Sequence, residues 1–358
     1  MEEEPAFKAL LCERLGDPQE TMGKPHSALR VARMPVSPLP NSSVRIKVAA
    51  AALNFADALQ LQGQYQVKPK LPFVPGSECS GTVIEVGRDV RTVKVGDKVC
   101  AVTEGGAFGE QAVARENLVV KLPANCDVDA AAGLPIAYGT AYLALRDRAD
   151  LRPGELAGTG TGSRLRQTIL VLGAAGGVGL AAVQLAKCCG ARVVAVARGH
   201  SKVTTLREAG ADEVINMEHH KPEQLKGLMR HCAPQGVDCV FDPVGGTLLT
   251  EALRCCRWGA HVLIIGFASG HIPKVAANVL LVKNLTMHGI FWGSYQQHNP
   301  RLFRKSLEEV GRLFGSGELN VNISHRFSLE QAPEAFSIMM NRQVIGKILL
   351  LPQPRSML

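Results

Sequence analysis

The sequence predicts an α/β protein in which a small β-rich domain precedes a doubly wound parallel sheet. Two observations predict the parallel sheet. A glycine-rich turn joins an apolar run to a helical pattern over residues 168–187, and short apolar strands then alternate with helix-length segments. A third observation, short glycine-bounded strands before residue 137, predicts the smaller domain.

The early strands are short and either alternate in polarity or end in glycine turns; they cover 44–48, 81–87 and 98–102. The last part of the chain holds a strand at 321–327, a helical stretch at 329–340 and a final strand at 346–351. We expect this tail to return to the first domain. The predicted domains are therefore residues 1–137 with 317–358, and residues 138–316.

The turn after the apolar run 169–172 indicates a dinucleotide site. Its glycines let backbone approach a pyrophosphate, and the following helix offers unpaired N–H groups and its positive dipole end. The spacing is G-x-x-G-x-x-G and not the usual G-x-G-x-x-G. The predicted cofactor contacts in this turn are Gly173, Ala174, Ala175, Gly176, Gly177 and Val178.

The second strand of the parallel sheet, 191–197, ends without an acidic residue. An NAD site usually places Asp or Glu there to hold the ribose hydroxyls. Arg198 and Lys202 stand instead where a 2′-phosphate would lie, which favours NADP over NAD. The alternative is two basic residues on a solvated loop.

Further strands are predicted at 212–216, 236–242 and 260–267. Ligands of such sheets bind at the carboxyl ends of the strands. This rule places Asp242, Gly266 and Phe267 near the cofactor as positions and not as established contacts.

Composition sets the broad class. The chain has 358 residues, which suffices for two domains, with 46% hydrophobic and 20% charged residues. No run of about 18 uncharged apolar residues predicts a membrane span, and the acidic start does not resemble a signal or transit peptide. The ten cysteines form no C-x-x-C pair, which indicates a reducing, cytoplasmic location.

The formal net charge of +8 has two interpretations. It could serve nucleic-acid binding, or it could attract an anionic cofactor. Because no concentrated Lys/Arg tract occurs, we favour the second and expect no nucleic-acid partner. The segment 156–166, rich in Gly, Thr and Ser, indicates a flexible surface loop; a phosphate-binding role is the alternative.

Seven motifs along the chain carry a family resemblance; they lie at 53–57, 63–65, 75–83, 95–99, 134–140, 173–179 and 289–295. Together they resemble the zinc-free quinone oxidoreductases of the medium-chain dehydrogenase/reductase superfamily, the group related to zeta-crystallin and to quinone oxidoreductase-like proteins. The resemblance covers nearly the whole chain. It implies a GroES-like catalytic domain formed by both chain ends and a Rossmann NADP(H)-binding domain between them.

The resemblance also bears on metal and on site residues. Zinc-dependent relatives place a Cys ligand where Asn54 stands and a His ligand where Ser77 stands, so we expect no metal. Asn54 and Tyr65 are implied beside the nicotinamide, where both can donate to the acceptor oxygen. Asp57 is the next catalytic candidate, and Thr140 matches a threonine near the nicotinamide ribose or amide.

Each candidate has a structural alternative. The Asn54 side chain could cap a turn, Tyr65 could pack a loop, and a solvated or structural carboxylate is the favoured role for Asp57. Glu78 alone is interpreted as structural.

These features favour an NADPH-dependent reductase of a quinone or other conjugated carbonyl. An enoyl or alkenal reductase is the alternative within the same class. A non-catalytic NADPH- or RNA-binding, crystallin-like protein is the alternative from another class. The apolar runs 261–267 and 285–292 look like late strands of the sheet, and covering such an edge predicts a homodimer. A loop of the same chain shielding the edge is the alternative.

Overall fold

The computed structural model describes residues 5–24, 27–151 and 167–353, and the backbone of 157–158 and 164–165. Its strands are β1 (Ala6–Cys12), β2 (Leu29–Pro35), β3 (Ser43–Ala52), β4 (Glu78–Val86), β5 (Lys98–Val102), β6 (Gln111–Arg115), β7 (Val119–Lys121), β8 (Ala157–Gly158), β9 (Arg164–Leu165), β10 (Thr168–Val171), β11 (Arg192–Ala197), β12 (Glu213–Asn216), β13 (Val237–Asp242), β14 (Cys256–Ile264), β15 (Thr286–Gly289), β16 (Ile323–Ser328) and β17 (Lys347–Leu351).

The α-helices are α1 (Phe55–Leu61), α2 (Val128–Ala131), α3 (Pro135–Tyr142), α4 (Gly177–Cys188), α5 (His200–Glu208), α6 (Leu225–Cys232), α7 (Gly246–Cys255), α8 (Ala277–Lys283), α9 (Tyr295–His298), α10 (Pro300–Gly315) and α11 (Ala332–Met340), and a π-helix follows α3 at Leu143–Arg148. None of the helices within the described ranges is both long and apolar enough to cross a membrane.

The chain divides into two compact units. The first joins Met1–Ile136 to Leu307–Leu358, and the second is Ala137–Ser306. β8 and β9 pair as a short antiparallel ladder. The rest of the 156–166 segment, and with it the predicted surface loop, lies outside the described residues.

The second unit contains a six-stranded sheet in the order β12-β11-β10-β13-β14-β15. Every neighbouring pair is parallel, which confirms the predicted doubly wound sheet. After Thr168, β10 is apolar and buried because a parallel sheet is covered on both faces. The strand order reverses beside β10, and the carboxyl ends at such a switch point are where this fold binds its ligands.

The last two strands of the parallel sheet end earlier than predicted. Of the predicted run 285–292, only Thr286–Gly289 forms a strand, β15, and a 3-10 helix begins at Trp292. β14 ends at Ile264, so Gly266 and Phe267 lie in the turn that follows it and not inside a strand. The physical reason is a change of hydrogen-bond partner. The N–H groups of Ile265 and Gly266 both donate to the carbonyl oxygen of Asp242, at 2.8 and 3.4 Å, so the chain leaves the regular ladder there.

The first unit contains a sheet in the order β16-β17-β3-β4-β5-β7, with β6 also paired to β3. β17 comes from the last residues of the chain and lies antiparallel to β3, where Leu349 is opposite Ala52. A separate hairpin, β1 with β2, packs onto the same apolar core. In that core the rings of Phe108 and Phe336 meet edge to face at a centroid distance of 6.5 Å.

Candidate functional site

The glycine turn of the second unit is built for close backbone approach. Gly173 has a φ of 55°, in the left-handed region that favours glycine. A Cβ on Gly179 would lie 2.5 Å from the carbonyl oxygen of Gly173, so this position admits no side chain without a backbone shift. Ala174 and Ala175 are buried beneath the turn, at 0 and 3% exposure.

The N-terminus of α4 fits a phosphate group. Its N-cap is Gly176, and no side chain of the described residues caps the helix. The first intrahelical bond is donated by Leu180 N–H to the carbonyl oxygen of Gly176, at 2.8 Å. The preceding N–H groups, on Gly177, Val178 and Gly179, therefore point along the helix axis as donors, beside the positive end of the dipole.

The basic strand end lies one strand further along the sheet. Arg198 is exposed directly after β11, and Lys202 is partly exposed on the first turn of α5. Between them Gly199 takes a φ of 101° and donates its N–H to Asn216 Oδ1 on the neighbouring strand, at 3.1 Å. This bond holds the loop between Arg198 and the first turn of α5, which carries Lys202.

Asp242 is placed at the end of β13, at the predicted position, but its carboxylate serves the backbone. The residue is fully buried, and its oxygens accept from the N–H groups of Val244 and Gly245 at 2.8 to 3.1 Å. Burial raises the pKa of Asp242, and those two bonds oppose the rise. Its contribution is to shape the turn, since its oxygens have backbone partners.

That turn is linked to the next one. Ser269 N–H donates to the carbonyl oxygen of Val244 at 2.9 Å, and Gly246 N–H donates to that of His271 at 3.0 Å. Phe267 is 37% exposed in this second turn, while Gly266 is half-buried. Thr140 lies elsewhere in the same unit, on α3, and is 8% exposed.

A polar cluster occupies the first unit and consists of Asn54, Asp57, Ser77, Glu78 and Lys347. Asn54 precedes α1, and its backbone N–H donates to Asp57 Oδ2 at 2.8 Å. Ser77 donates its hydroxyl to the other oxygen of Asp57, at 3.1 Å. The structure thus brings together two predicted residues, Asn54 and Asp57, through the start of one helix.

Glu78 and Lys347 form the buried half of the polar cluster. Lys347 Nζ lies 2.8 Å from Glu78 Oε1, and the two side chains are 5% and 0% exposed. Glu78 Oε1 also accepts from Asn54 Nδ2 at 2.9 Å, and its Oε2 accepts from the N–H of Ile136 at 2.8 Å. The structural interpretation of Glu78 missed that it touches Asn54.

Asp57 has an unusual electrostatic environment. Burial raises the pKa of Asp57 to about 7, against the opposing effects of the Asn54 N–H, the Lys347 ammonium and the Ser77 hydroxyl. Tyr65 follows α1 and is partly buried; burial and the Asp57 carboxylate together raise its pKa. Within the described residues no group hydrogen-bonds to the Tyr65 hydroxyl, which leaves this O–H as a donor for a ligand.

Lys347 was not among the predicted site residues. Its only sequence signal is a charged residue that opens an otherwise apolar strand, directly after Gly346. Lysine is almost never fully buried without a partner, so a lysine in such a run indicates a buried acceptor. The sequence could not identify that acceptor, because Glu78 lies 269 positions earlier.

The side chains at the two expected zinc-ligand positions are an amide and a hydroxyl, and both are engaged within the polar cluster. In the part of the chain that the structure describes, no group of three or more His, Cys, Asp or Glu residues could hold a metal ion.

Comparisons with known proteins agree with this architecture. A family model described as alcohol dehydrogenase GroES-like domain matches residues 40–124, and one described as zinc-binding dehydrogenase matches residues 177–310. The first match confirms the GroES-like prediction for the smaller domain.

Individual relatives cover most of the chain. A quinone oxidoreductase-like protein 2 homolog of Nematostella vectensis is 36% identical over 349 residues, which is 96% of this chain and 89% of that protein. A mitochondrial enoyl-(acyl-carrier-protein) reductase of Xenopus tropicalis is 32% identical over 298 residues, 82% of this chain and 81% of that protein. A mycobacterial protein solved in complex with NADPH superposes with a TM-score of 0.83 at 27% identity, covering 97% of this chain and 100% of that one.

Proposed function

The chain belongs to the medium-chain dehydrogenase/reductase family and is an NADPH-binding oxidoreductase of the quinone oxidoreductase type, and from this premise we propose that it reduces a quinone or other conjugated carbonyl. The observation that carries the proposal is the N-terminus of α4, which no described side chain caps, together with Gly179, where a Cβ would meet the backbone of the glycine turn. Residues 138–316 are proposed as the NADP-binding domain, and residues 1–137 with 317–358 as the catalytic domain.

The second unit is proposed to bind the cofactor. The N–H groups at the start of α4 would hold the pyrophosphate, and Arg198 and Lys202 the 2′-phosphate. Thr140, Gly266 and Phe267 are proposed as further contacts. NADPH supplies the hydride when bound, and the protein supplies binding and orientation.

The first unit is proposed to orient the acceptor. The carbonyl oxygen gains negative charge as it is reduced, and donors aimed at that oxygen stabilise the charge. Within the described ranges the Tyr65 hydroxyl has no hydrogen-bond partner, and one hydrogen of Asn54 Nδ2 faces only the carbonyl oxygen of Ala52, at a long 3.4 Å. Asp57 is proposed to hold Asn54 in place through its bond to the Asn54 N–H.

The direct test is NADPH oxidation by the purified protein with a panel of quinones, followed at 340 nm. We expect saturable turnover with at least one quinone, and loss of turnover in the Tyr65→Phe, Asn54→Ala double variant. NADPH binding without turnover on any acceptor would instead support the non-catalytic alternative.

A second candidate function is reduction of enoyl or alkenal substrates. The Xenopus tropicalis enoyl reductase that covers 82% of this chain favours it, because the same donor pair would serve a conjugated thioester or aldehyde. To distinguish the two candidate functions, kcat/KM is measured on quinones and on enoyl substrates with one enzyme preparation. The substrate class with the higher kcat/KM identifies the function.

We further propose that the reaction needs no zinc, because Asn54 and Ser77 replace soft or imidazole ligands with an amide and a hydroxyl. We expect less than about a tenth of an equivalent of zinc by elemental analysis after dialysis, and turnover unchanged by a chelator. Stoichiometric zinc that is lost together with activity would contradict this proposal.

A homodimer and a cytoplasmic location complete the proposal. β15 is the last strand of the parallel sheet, and large apolar side chains lie exposed on the same unit, including Leu281 and Val282 at 81 and 74%. A second copy of the chain could cover this edge.

The cytoplasmic location is supported by the cysteines. All ten cysteines are free thiols, which is consistent with a reducing compartment.

A further inference from the structure

We propose that Lys347 and Glu78 act together as positioning residues that fix the orientation of the Asn54 side-chain amide and so decide which of its hydrogens can reach an acceptor. The inference rests on the proposed function, because it concerns the donor that the function assigns to Asn54. It brings into the site a residue from the last strand of the chain, 293 positions away.

The ammonium group of Lys347 is fully committed. Its Nζ donates to the carbonyl oxygen of Leu53 at 2.9 Å, to Asn54 Oδ1 at 2.8 Å and to Glu78 Oε1 at 2.8 Å. An ammonium has three N–H donors and no acceptor, so these three contacts use its whole capacity. Lys347 therefore has one geometry that satisfies it, at 5% exposure.

Glu78 is constrained in the same way from the other side. Its carboxylate is fully buried and accepts from Lys347, from Asn54 Nδ2 and from the N–H of Ile136. An ionised carboxylate can only accept. The pair thus presents a pure donor and a pure acceptor to the two ends of one amide.

The amide can satisfy this pair in only one orientation. Asn54 Oδ1 must face the Lys347 ammonium, and Nδ2 must face the Glu78 carboxylate. Rotation by 180° would bring two donors together and two acceptors together inside a buried site, which is costly. One Nδ2 hydrogen is then used by Glu78, and the other has, among the described residues, only the long 3.4 Å hydrogen bond to the carbonyl oxygen of Ala52. The second hydrogen is the one left for a ligand oxygen.

The backbone around Lys347 supports a fixed position. The Lys347 N–H donates to the carbonyl oxygen of Asn322 at 2.9 Å, and the preceding Gly346 has a φ of 84°. A Cβ on Gly346 would lie 2.2 Å from that same oxygen. β17 also pairs with the end of β3, which leads into Asn54. Strand and loop are therefore held together independently of the lysine side chain.

A buried ion pair contributes little net stability, because desolvation offsets much of its attraction. A pair retained for stability alone would be replaceable by apolar side chains, with the site unaffected. A pair retained to orient Asn54 would not. The two roles predict different outcomes for the same variants.

The test compares Lys347→Met, the charge-free double variant Lys347→Met with Glu78→Gln, and Lys347→Arg. The double variant removes both buried charges together, so it keeps the test valid if the single variant does not fold. As a matched control, Lys121→Met removes an ion pair between an exposed lysine and the buried carboxylate of Asp97 in the same unit. Melting temperature, NADPH affinity, and kcat and KM for a quinone are measured on each.

We expect the double variant to bind NADPH within about twofold of the parent and to lose on the order of 10²-fold in kcat, the scale of a misplaced catalytic group. Lys347→Arg keeps the positive charge and should lose less kcat than the double variant. Lys121→Met should keep the kcat of the parent. In an Asn54→Ala background the Lys347→Met, Glu78→Gln change should have no further effect on kcat, because its route through Asn54 is gone. A folded double variant with parental kcat would overturn the proposal.

A second readout does not require turnover. The side-chain amide signals of Asn54, assigned by their loss in Asn54→Asp, report the orientation directly by ¹H–¹⁵N NMR. We expect two sharp, slowly exchanging signals in the parent, and merged or fast-exchanging signals in the double variant. If no quinone is reduced, the proposed function fails, but these signals still test whether Lys347 and Glu78 orient Asn54. Unchanged signals in the double variant would contradict that positioning role.

Discussion

At the scale of single residues, the Asp57 carboxylate in the polar cluster both holds local structure through hydrogen bonds and has a pKa near neutral pH. Asp57 accepts from the Asn54 N–H and the Ser77 hydroxyl, so it ties the start of α1 to the segment before β4. Both bonds favour the ionised form, but burial outweighs them. Because the Asp57 carboxylate accepts the bond that holds the Asn54 backbone, a change in its protonation changes the strength of that bond.

This balance predicts a pH-dependent stability. Unfolded Asp has a pKa of 3.8, whereas the pKa of Asp57 in the fold is raised to about 7, so the native state holds a proton that the unfolded state has lost. The stabilisation is complete below the lower value and is lost as pH rises to the upper one. Relative to Asp57→Asn, the unfolding free energy of the parent should fall by roughly a few kcal/mol between pH 4 and 7. Urea unfolding across that range checks this, and a constant difference would show that Asp57 is ionised throughout.

Cofactor choice is also decided at this scale. We expect NADPH to bind more tightly than NADH, because two cations and no acid follow β11. Arg198→Ala with Lys202→Ala should reduce the difference in affinity between NADPH and NADH, since charge-assisted bonds to phosphate contribute about 1.5–3 kcal/mol each. Titration calorimetry with both cofactors measures this difference. Arg207→Ala, an exposed cation at the end of α5, is the control, and equal affinities in the parent would rule out this assignment.

At the scale of elements, the strand–turn–helix from β10 to α4 depends on two backbones lying in contact. Gly179 packs its Cα face against the carbonyl oxygen of Gly173, which allows the helix to begin directly above the strand. Asp238 supports the strand from its other end, accepting from the Thr168 N–H at 2.7 Å and pairing with Arg257. The site is therefore positioned by backbone geometry more than by side chains.

Gly179→Ala tests this contact. A Cβ 2.5 Å from backbone must move the helix or the turn, so we expect a loss of about 1–3 kcal/mol in stability and weaker NADPH binding. Gly227→Ala is the matched control, because it lies within α6 with nothing within 4 Å of the added Cβ. The control should gain about 0.5–1 kcal/mol and leave NADPH affinity unchanged. Thermal unfolding with and without NADPH measures both, and a stabilised Gly179→Ala would refute the close-approach argument.

At the scale of the whole molecule, the distribution of exposed apolar side chains sets the expected assembly. The second unit leaves β15 as a sheet edge and exposes Trp258, Ile272, Leu281 and Val282. An unpaired sheet edge and exposed apolar groups on the same unit favour association with an identical surface over solvent. The proposed homodimer would place this edge at its interface.

Light scattering at micromolar concentration should accordingly give a mass near twice 38.3 kDa. Leu281→Glu with Val282→Glu should shift the mass toward one chain, because charges within an apolar interface oppose association. Val95→Glu, at an exposed apolar position of the first unit, should leave the mass unchanged. A parent mass of one chain would exclude the dimer.

The sequence alone determined the parallel sheet, its glycine turn and the basic strand end, because apolar periodicity and glycine spacing act over a few neighbouring residues. Tertiary structure alone decided which polar groups share a site. The partners of Asn54 lie 24 and 293 positions away, and only the pairing of β17 with β3 brings Lys347 to Asn54. Likewise, the buried carboxylate of Asp242 faces backbone because the turn folds over it. Local sequence patterns predict helices and strands. Buried polar groups, in contrast, need hydrogen-bond partners, and those partners are often distant in the sequence and cannot be identified from it.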